Sequence, residues 1–278
     1  MHDLDDDEAR SRIAWLAGED LPADGGIPGG TGFDPVTGWH ASLWILNAVY
    51  ENPELPADMT HHDIHQQAIK AGLRQPTMVG EINLDELTVT TGQSLGFAER
   101  PGGSWRRVRW AEIGRRAGFG FWAVSGRWPD LHYLPHEQWE DRAVIPPASC
   151  PRIGPTELSS WPVALLPPAE GSLDDESLQA LIAVLTDHTP PAALAQCDFY
   201  FGCPPLRDGP RMLTGHLREV RSLVDDTGFT PNNMWPADRS WLVYTDYDLC
   251  ATRISGSTEL IAALRSVDNL DSVLCGQP

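Results

Sequence analysis

The run from Met234 to Leu264, MWPADRSWLVYTDYDLCATRISGSTELIAAL, constrains the fold more than any other stretch of the chain. From Trp241 to Leu249 the residues alternate: Trp241, Val243, Thr245, Tyr247 and Leu249 fall on one face, and Leu242, Tyr244, Asp246 and Asp248 on the other. That pattern predicts a strand with one wet end. Pro236 fixes its own φ and keeps Trp235 out of the helical region, so Trp235 to Arg239 reads as a turn. Ser255-Gly256-Ser257 then opens a helix with Glu259 in its first turn and Leu260, Ile261 and Leu264 as its apolar stripe. The unit is strand, turn, strand, helix.

The rest of the C-terminal half repeats this grammar. Trp161–Leu166 reads as a strand, and Ser172 as the cap of a helix running to about Thr186 and ending before Pro190-Pro191. Cys197–Gly202 reads as a buried strand, and Arg211–Thr214 as a strand leading into a helix from Gly215 to Asp226, closed by Gly228. Setting Leu213-Thr214-Gly215 against Ile254-Ser255-Gly256, an offset of 41 residues, also aligns Leu217 with Thr258 and Leu223 with Leu264. Two consecutive β-β-α units are expected.

The N-terminal half reads as helix-rich with short strands. Helices are predicted over Ala9–Ala17, over the apolar Trp39–Glu51 up to Asn52-Pro53, and from Thr60 to about Gly72, where Thr60 and Asp63 can form a capping box. Thr77–Glu99 mixes strand-like alternation with turns, and Trp105–Gly118 reads as a short strand entering a short helix. Gly25–Gly30 resembles a phosphate loop but lacks both the Gly-Lys-Ser/Thr ending and a preceding strand, so it is a connector. Pro146-Pro147 to Pro155 is the expected seam between halves 1–150 and 151–278, which form either two units or a single compact domain. The expected class is α+β, with the C-terminal units around an antiparallel or mixed sheet.

Charge narrows the partners. The chain carries 20 basic and 39 acidic residues, a formal net charge of −19, which disfavours nucleic acid and anionic membrane surfaces and favours encounter with a basic protein. Only Lys70 is a lysine, which with the abundant Ala, Gly and Pro reads as a GC-rich coding bias. The five cysteines, Cys150, Cys197, Cys203, Cys250 and Cys275, show no C-x-x-C pair and no zinc spacing, so reduced thiols in a cytoplasm are expected. The acidic start Asp3 to Glu8 is the opposite of a secretory signal, and no run approaches a membrane span.

Five constellations carry possible chemistry. Asp246 and Asp248, two apart on a strand, would place carboxylates about 7 Å apart for a metal or acid–base pair, against the plainer reading of a solvated strand face. His61 and His65 have the i, i+4 spacing of a metal pair, but position 62 is histidine where H-E-x-x-H needs glutamate, so a polar helix face is the default. Arg106, Arg107, Arg109, Arg115 and Arg116 could grip an anion through bidentate forks, or pair with the protein's own acids. Asp238-Arg239 between Trp235 and Trp241 reads either as a recognition corner with Arg239 stacked on an indole or as a buried ion pair locking the turn. Gly256-Ser257 offers backbone N–H groups to an anion, as any helix start does.

Three segments, WILNAVYE at Trp44–Glu51, LPPAEGSLDDESLQALIAVLTDHT at Leu166–Thr189 and MWPADRSWLVYTDYDL with ATRISGS at Met234–Ser257, resemble a family of uncharacterised proteins from high-GC actinobacteria. That family has a Trp-Pro-acid-Asp-Arg-x-Trp core before an acidic strand and a Gly-Gly-Ser-like helix start. Here Met234 replaces a first tryptophan, Ala237 an acid, and Ser255 a glycine. The resemblance implies a shared fold and no catalytic residues.

The functional expectation is an acidic cytoplasmic interaction protein of the immunity or antitoxin type that binds a basic protein, with no cofactor and no metal. Its binding residues would be Trp235, Asp238, Arg239, Trp241, Asp246, Asp248, Gly256 and Ser257. The alternatives are a hydrolase using Asp246 and Asp248, and a small-molecule or nucleotide sensor using the Gly256 helix start.

Overall fold

The computed structural model describes residues 1–23, 25–34, 38–86, 88–117, 160–202, 209–247 and 249–274. The Pro146–Pro155 seam, Asp248 and the cysteines Cys150, Cys203 and Cys275 lie outside the described residues.

The first elements are β1 (His2–Asp3), α1 (Asp6–Ala17), β2 (Ala41–Leu46), β3 (Val49–Glu51) and α2 (His61–Lys70). There follow β4 (Met78–Val79), β5 (Ile82–Asn83), β6 (Arg106–Val108), α3 (Trp110–Ala117) and β7 (Leu165–Leu166). The C-terminal region adds α4 (Asp175–Asp187), α5 (Pro191–Leu194), β8 (Cys197–Phe201), β9 (Arg211–Gly215), α6 (Val220–Thr227), β10 (Asn233–Trp235), β11 (Leu242–Thr245), β12 (Ala251–Gly256), α7 (Thr258–Arg265) and β13 (Ser272–Leu274). The class is α+β.

An eight-stranded sheet in the order β1-β9-β8-β10-β11-β12-β2-β13, antiparallel throughout, is the centre of the fold. Helices α4, α6 and α7 cover one face, packing Leu181, Val220, Leu223, Ile261 and Leu264 against Leu43, Ile45, Phe199, Leu213, Val243 and Ile254. The other face carries two smaller clusters. Trp44, Leu46 and Tyr244 pack against Val108, Trp110 and Trp161 beside the three-stranded sheet β6-β3-β7, while Tyr200, Met212, Trp235 and Leu242 pack under α1. The expected β-β-α units are β8-β9-α6 and β11-β12-α7, and the aligned leucines Leu223 and Leu264 both enter the main core.

Helix ends follow the local chemistry. Asp5 accepts from the Glu8 amide and caps α1, Thr60 and Asp63 form the expected capping box on α2, and Gly228 closes α6 in the left-handed conformation. Ser172 does not cap α4: its hydroxyl accepts the Thr230 amide at 3.0 Å, and Asp174 caps the helix by accepting the Ser177 amide at 3.2 Å. The stop expected before Pro190-Pro191 is followed at once by α5, with Pro191 at its first position, where a missing N–H costs nothing.

The sheet overrides the local signal in the N-terminal half. Trp39–Glu51 is not a helix but the strands β2 and β3, because β2 lies between β12 and β13 and buries both faces, Leu43 and Ile45 on one and Trp44 and Leu46 on the other. The strand expected over Trp241–Leu249 is the shorter β11, and its expected wet end is the half-buried Asp246 and Tyr247 beyond it. β11 is flanked by β10 and β12, and Leu242 and Tyr244 are buried against the second sheet face.

Candidate functional site

The corner at Trp235–Trp241 is built by the turn between β10 and β11. The Arg239 amide donates to the Pro236 carbonyl at 2.9 Å, and Asp238 Oδ1 accepts the Ser240 amide at 3.0 Å. Arg239 sits at φ +52°, in the left-handed region that favours glycine. The two tryptophans flanking this turn lie on opposite faces of the sheet. Trp241 points into the main core and donates its indole N–H to Thr189 Oγ1 at 2.7 Å. Trp235 points under α1, where it hydrogen-bonds the buried carboxylate of Asp198.

Asp198 also receives Arg12 at 2.9 Å, yet burial outweighs these partners and raises its pKa above the ordinary carboxylate value. A buried Asp238–Arg239 ion pair is not what locks the turn, for both residues are exposed. The Arg239 guanidinium lies 4.9 Å above the ring of Trp15, which meets Trp235 edge-on at 5.7 Å and Trp39 at 6.5 Å. The stacked indole thus comes from α1 rather than from the motif. Nothing near Arg239 in the sequence could have named it.

Asp246 is half-buried and accepts the Tyr244 hydroxyl at 3.1 Å. At the α7 start, Ser257 Oγ accepts the Leu260 amide at 3.1 Å, and bonds from its own backbone amide and from Ser257 hold the Glu259 carboxyl below the usual range. The helix start therefore carries its own anion. A Cβ on Gly256 would stand 2.8 Å from Leu260 Cδ2, so this glycine lets helix and strand pack closely.

His61 and His65 do not converge on a metal. His61 Nε2 meets the Leu165 carbonyl at 2.9 Å, and His65 Nε2 meets Asp85 Oδ1 at 2.7 Å. Among the described residues no group of three His, Cys, Asp or Glu side chains could hold a metal ion. Arg106, Arg107 and Arg109 are each turned onto the protein's own acids: Glu51 at 2.5 Å, Asp174 at 3.5 Å and Asp271 at 2.9 Å. The side chains of Arg115 and Arg116 lie outside the described residues.

A cleft of about 280 Å³, open mouth included, lies beside this arginine region and is lined by Asn47, Tyr50, Ser94, Ser172 and Asp174. Its enclosed volume is only about 10 Å³, room for about one water molecule and far below the roughly 300–1,000 Å³ of ligand pockets. Tyr50 Oη reaches Asp174 at 3.4 Å there, and burial raises the phenol's pKa. This cleft is a polar seam of the core.

One surface was not singled out by motif. Helix α2 carries the β4–β5 hairpin as a lobe, tied to it by His65 on Asp85 and by Gln66 Nε2 on the Asp85 carbonyl at 2.9 Å, while the Thr77 amide on Asp85 Oδ2 at 2.6 Å closes the base of the hairpin. The hairpin turns at Gly80-Glu81, with Gly80 at φ +62° and Val79 paired to Ile82. Among the described residues, nearly all the large apolar side chains left exposed lie between Leu55 and Leu95, and Leu73, Met78, Val79 and Ile82 belong to this lobe. The only available signal was alternation in VGEINLDEL without a partner strand.

No family model matches this chain, and it matches no curated protein and no solved structure. Among the described residues no helix is long and apolar enough to cross a membrane.

Proposed function

We propose that this chain is an acidic binding protein of the immunity or antitoxin type, which takes hold of a basic protein partner. The observation that carries the reading is where the cations go. Arg12, Arg100, Arg106, Arg107, Arg109, Arg211, Arg221 and Arg253 all pair with the protein's own carboxylates. With a net charge of −19, the charge left over at the surface is overwhelmingly negative. The exposed acids Asp5, Asp6, Asp7, Glu19 and Asp20 around α1 are one such region.

A field of one sign speeds encounter with a partner of the other, while affinity comes from apolar anchors. A cytoplasmic location fits the reading, since Cys197 and Cys250 are free and buried. The test is capture on the tagged full chain from the native host at low and moderate salt. A stoichiometric basic protein whose association slows as salt rises is the expected result. Retention of no protein at either salt defeats the reading.

A further inference from the structure

We infer, resting on that reading, that the lobe of α2 and the β4–β5 hairpin is the surface that grips the basic partner. Isolated exposed hydrophobics are ordinary, but several on one small structural unit mark an interaction surface. Leu73 is 84% exposed, Val79 58%, Ile82 54% and Met78 52%, in a chain whose core side chains are almost wholly buried. No strand or helix of the described chain covers them.

The lobe is also prepared for binding. Asp85 ties the hairpin to α2 through His65 and closes its base on the Thr77 amide, so the apolar side chains stand on a fixed platform and little conformational freedom remains to be lost. Its rim is acidic. Asp63 neighbours Ile64 on α2, Glu81 sits in the turn between Val79 and Ile82, and Glu86 follows the hairpin; all three are exposed. Lys70 ends α2 and Arg74 follows Leu73 in the connection to the hairpin, so over residues 61–86 the four acids Asp63, Glu81, Asp85 and Glu86 stand against these two bases and the lobe is net acidic. Val79 and Ile82, cross-strand partners on one face of the hairpin, are its apolar centre, and an apolar centre with a charged rim is the usual anatomy of a protein interface.

Charge selects the occupant. A second copy would bring another −19, and nucleic acid or an anionic membrane would be repelled in the same way. A basic protein with an apolar contact patch satisfies both features of the lobe.

The test uses the full chain and the double variant Val79→Asp with Ile82→Asp, together with Leu73→Ser, which changes the most exposed apolar side chain and serves if the double variant fails to fold. The basic protein captured by the unmodified chain is purified and titrated against all three. The expected result is an unchanged melting temperature with binding weakened by about tenfold or more in each variant. Equal affinity for the variants overturns the lobe as the contact surface while leaving the binding reading intact. Capture of a second copy, or of an acidic protein, through the hairpin overturns the choice of occupant. If the unmodified chain retains nothing at either salt, the functional reading itself falls, and this inference with it.

Discussion

His65 Nε2 lies 2.7 Å from Asp85 Oδ1, and this contact joins the buried face of helix α2 to the one hairpin that, among the described residues, stands outside the two larger sheets. A two-stranded hairpin is marginal by itself in water, so the lobe depends on such ties. His65→Ala should speed amide hydrogen exchange over residues 77–86 by about tenfold while the central sheet keeps its protection. Exchange rising equally everywhere would mean that the hairpin is part of the global core.

The same tie sets a pH dependence. The Thr77 amide first, and His65 second, hold the Asp85 carboxyl below its ordinary value. A group whose folded pKa is depressed contributes stability above its unfolded pKa, near 3.9, and loses it as pH falls through the folded value. Hairpin protection should therefore persist on acidification to about pH 4 and fall below it. Asp85→Asn should remove that acid-side loss, with protection lower and flatter across the same range. Exchange followed by mass spectrometry from pH 6 downwards reads both.

The arginine cluster predicts a contrast that separates packing from surface charge. Asp174 is buried and caps α4, and Arg107 is a partly buried cation beside it, so Arg107→Met leaves a buried carboxylate without its cation and should cost about 3 kcal/mol. Arg106 is half-exposed on Glu51, and Arg106→Ala should cost between about 0 and 1 kcal/mol. Urea midpoints of the two variants give the comparison. Similar small losses would show that Arg107 is not structural and would reopen an anion-gripping role.

Local chemistry was legible wherever a side chain answers to its near neighbours, as with the Thr60–Asp63 box, Gly228 closing α6, and the Ser257 cap. It failed where the sheet decides. β2 carries apolar residues on both faces, which erases the period of two and lets Trp39–Glu51 pass for a helix. At β12 too the sheet decides, for Ser255 and Gly256, expected to open the helix, are its last residues. Its Thr252 and Ser255 look solvent-facing but pair across the ladder with Thr245 at 3.0 Å and Ser42 at 2.7 Å, and Arg253 is buried on Asp34. The candidate corner was half legible: the turn and its tryptophans were, and the Trp15 ring beneath Arg239 was not. The lobe carried no motif, because its apolar residues answer to no partner within the described chain.

Trp241 and Thr189 offer a clean measure of one buried hydrogen bond. Thr189→Val keeps the shape of the side chain and leaves the indole N–H without its acceptor, which should cost about 2 kcal/mol. In a Trp241→Phe background that N–H is gone, and the same substitution should cost distinctly less. A double-mutant cycle by thermal melting gives the coupling. Strict additivity would place the Thr189 effect in its own bond to the Leu185 carbonyl.

An Arg239 that locked the turn would be costly to lose, and its geometry argues otherwise. Two terms of opposite sign meet there: the guanidinium gains about 0.5–1 kcal/mol over the face of Trp15 at an exposed site, while a residue with a Cβ at φ +52° gives back about 1 kcal/mol. Arg239→Ala removes the favourable term and keeps the strain, so it should destabilise by about 0.5–1 kcal/mol. Arg239→Gly removes both, so it should lie close to the unmodified protein despite losing the same cation–π contact. Thermal melts of the two variants decide it. Glycine more damaging than alanine would mean that the turn is held by rigidity rather than strained by it, and a loss of several kcal/mol in both would restore the locking role that the sequence suggested.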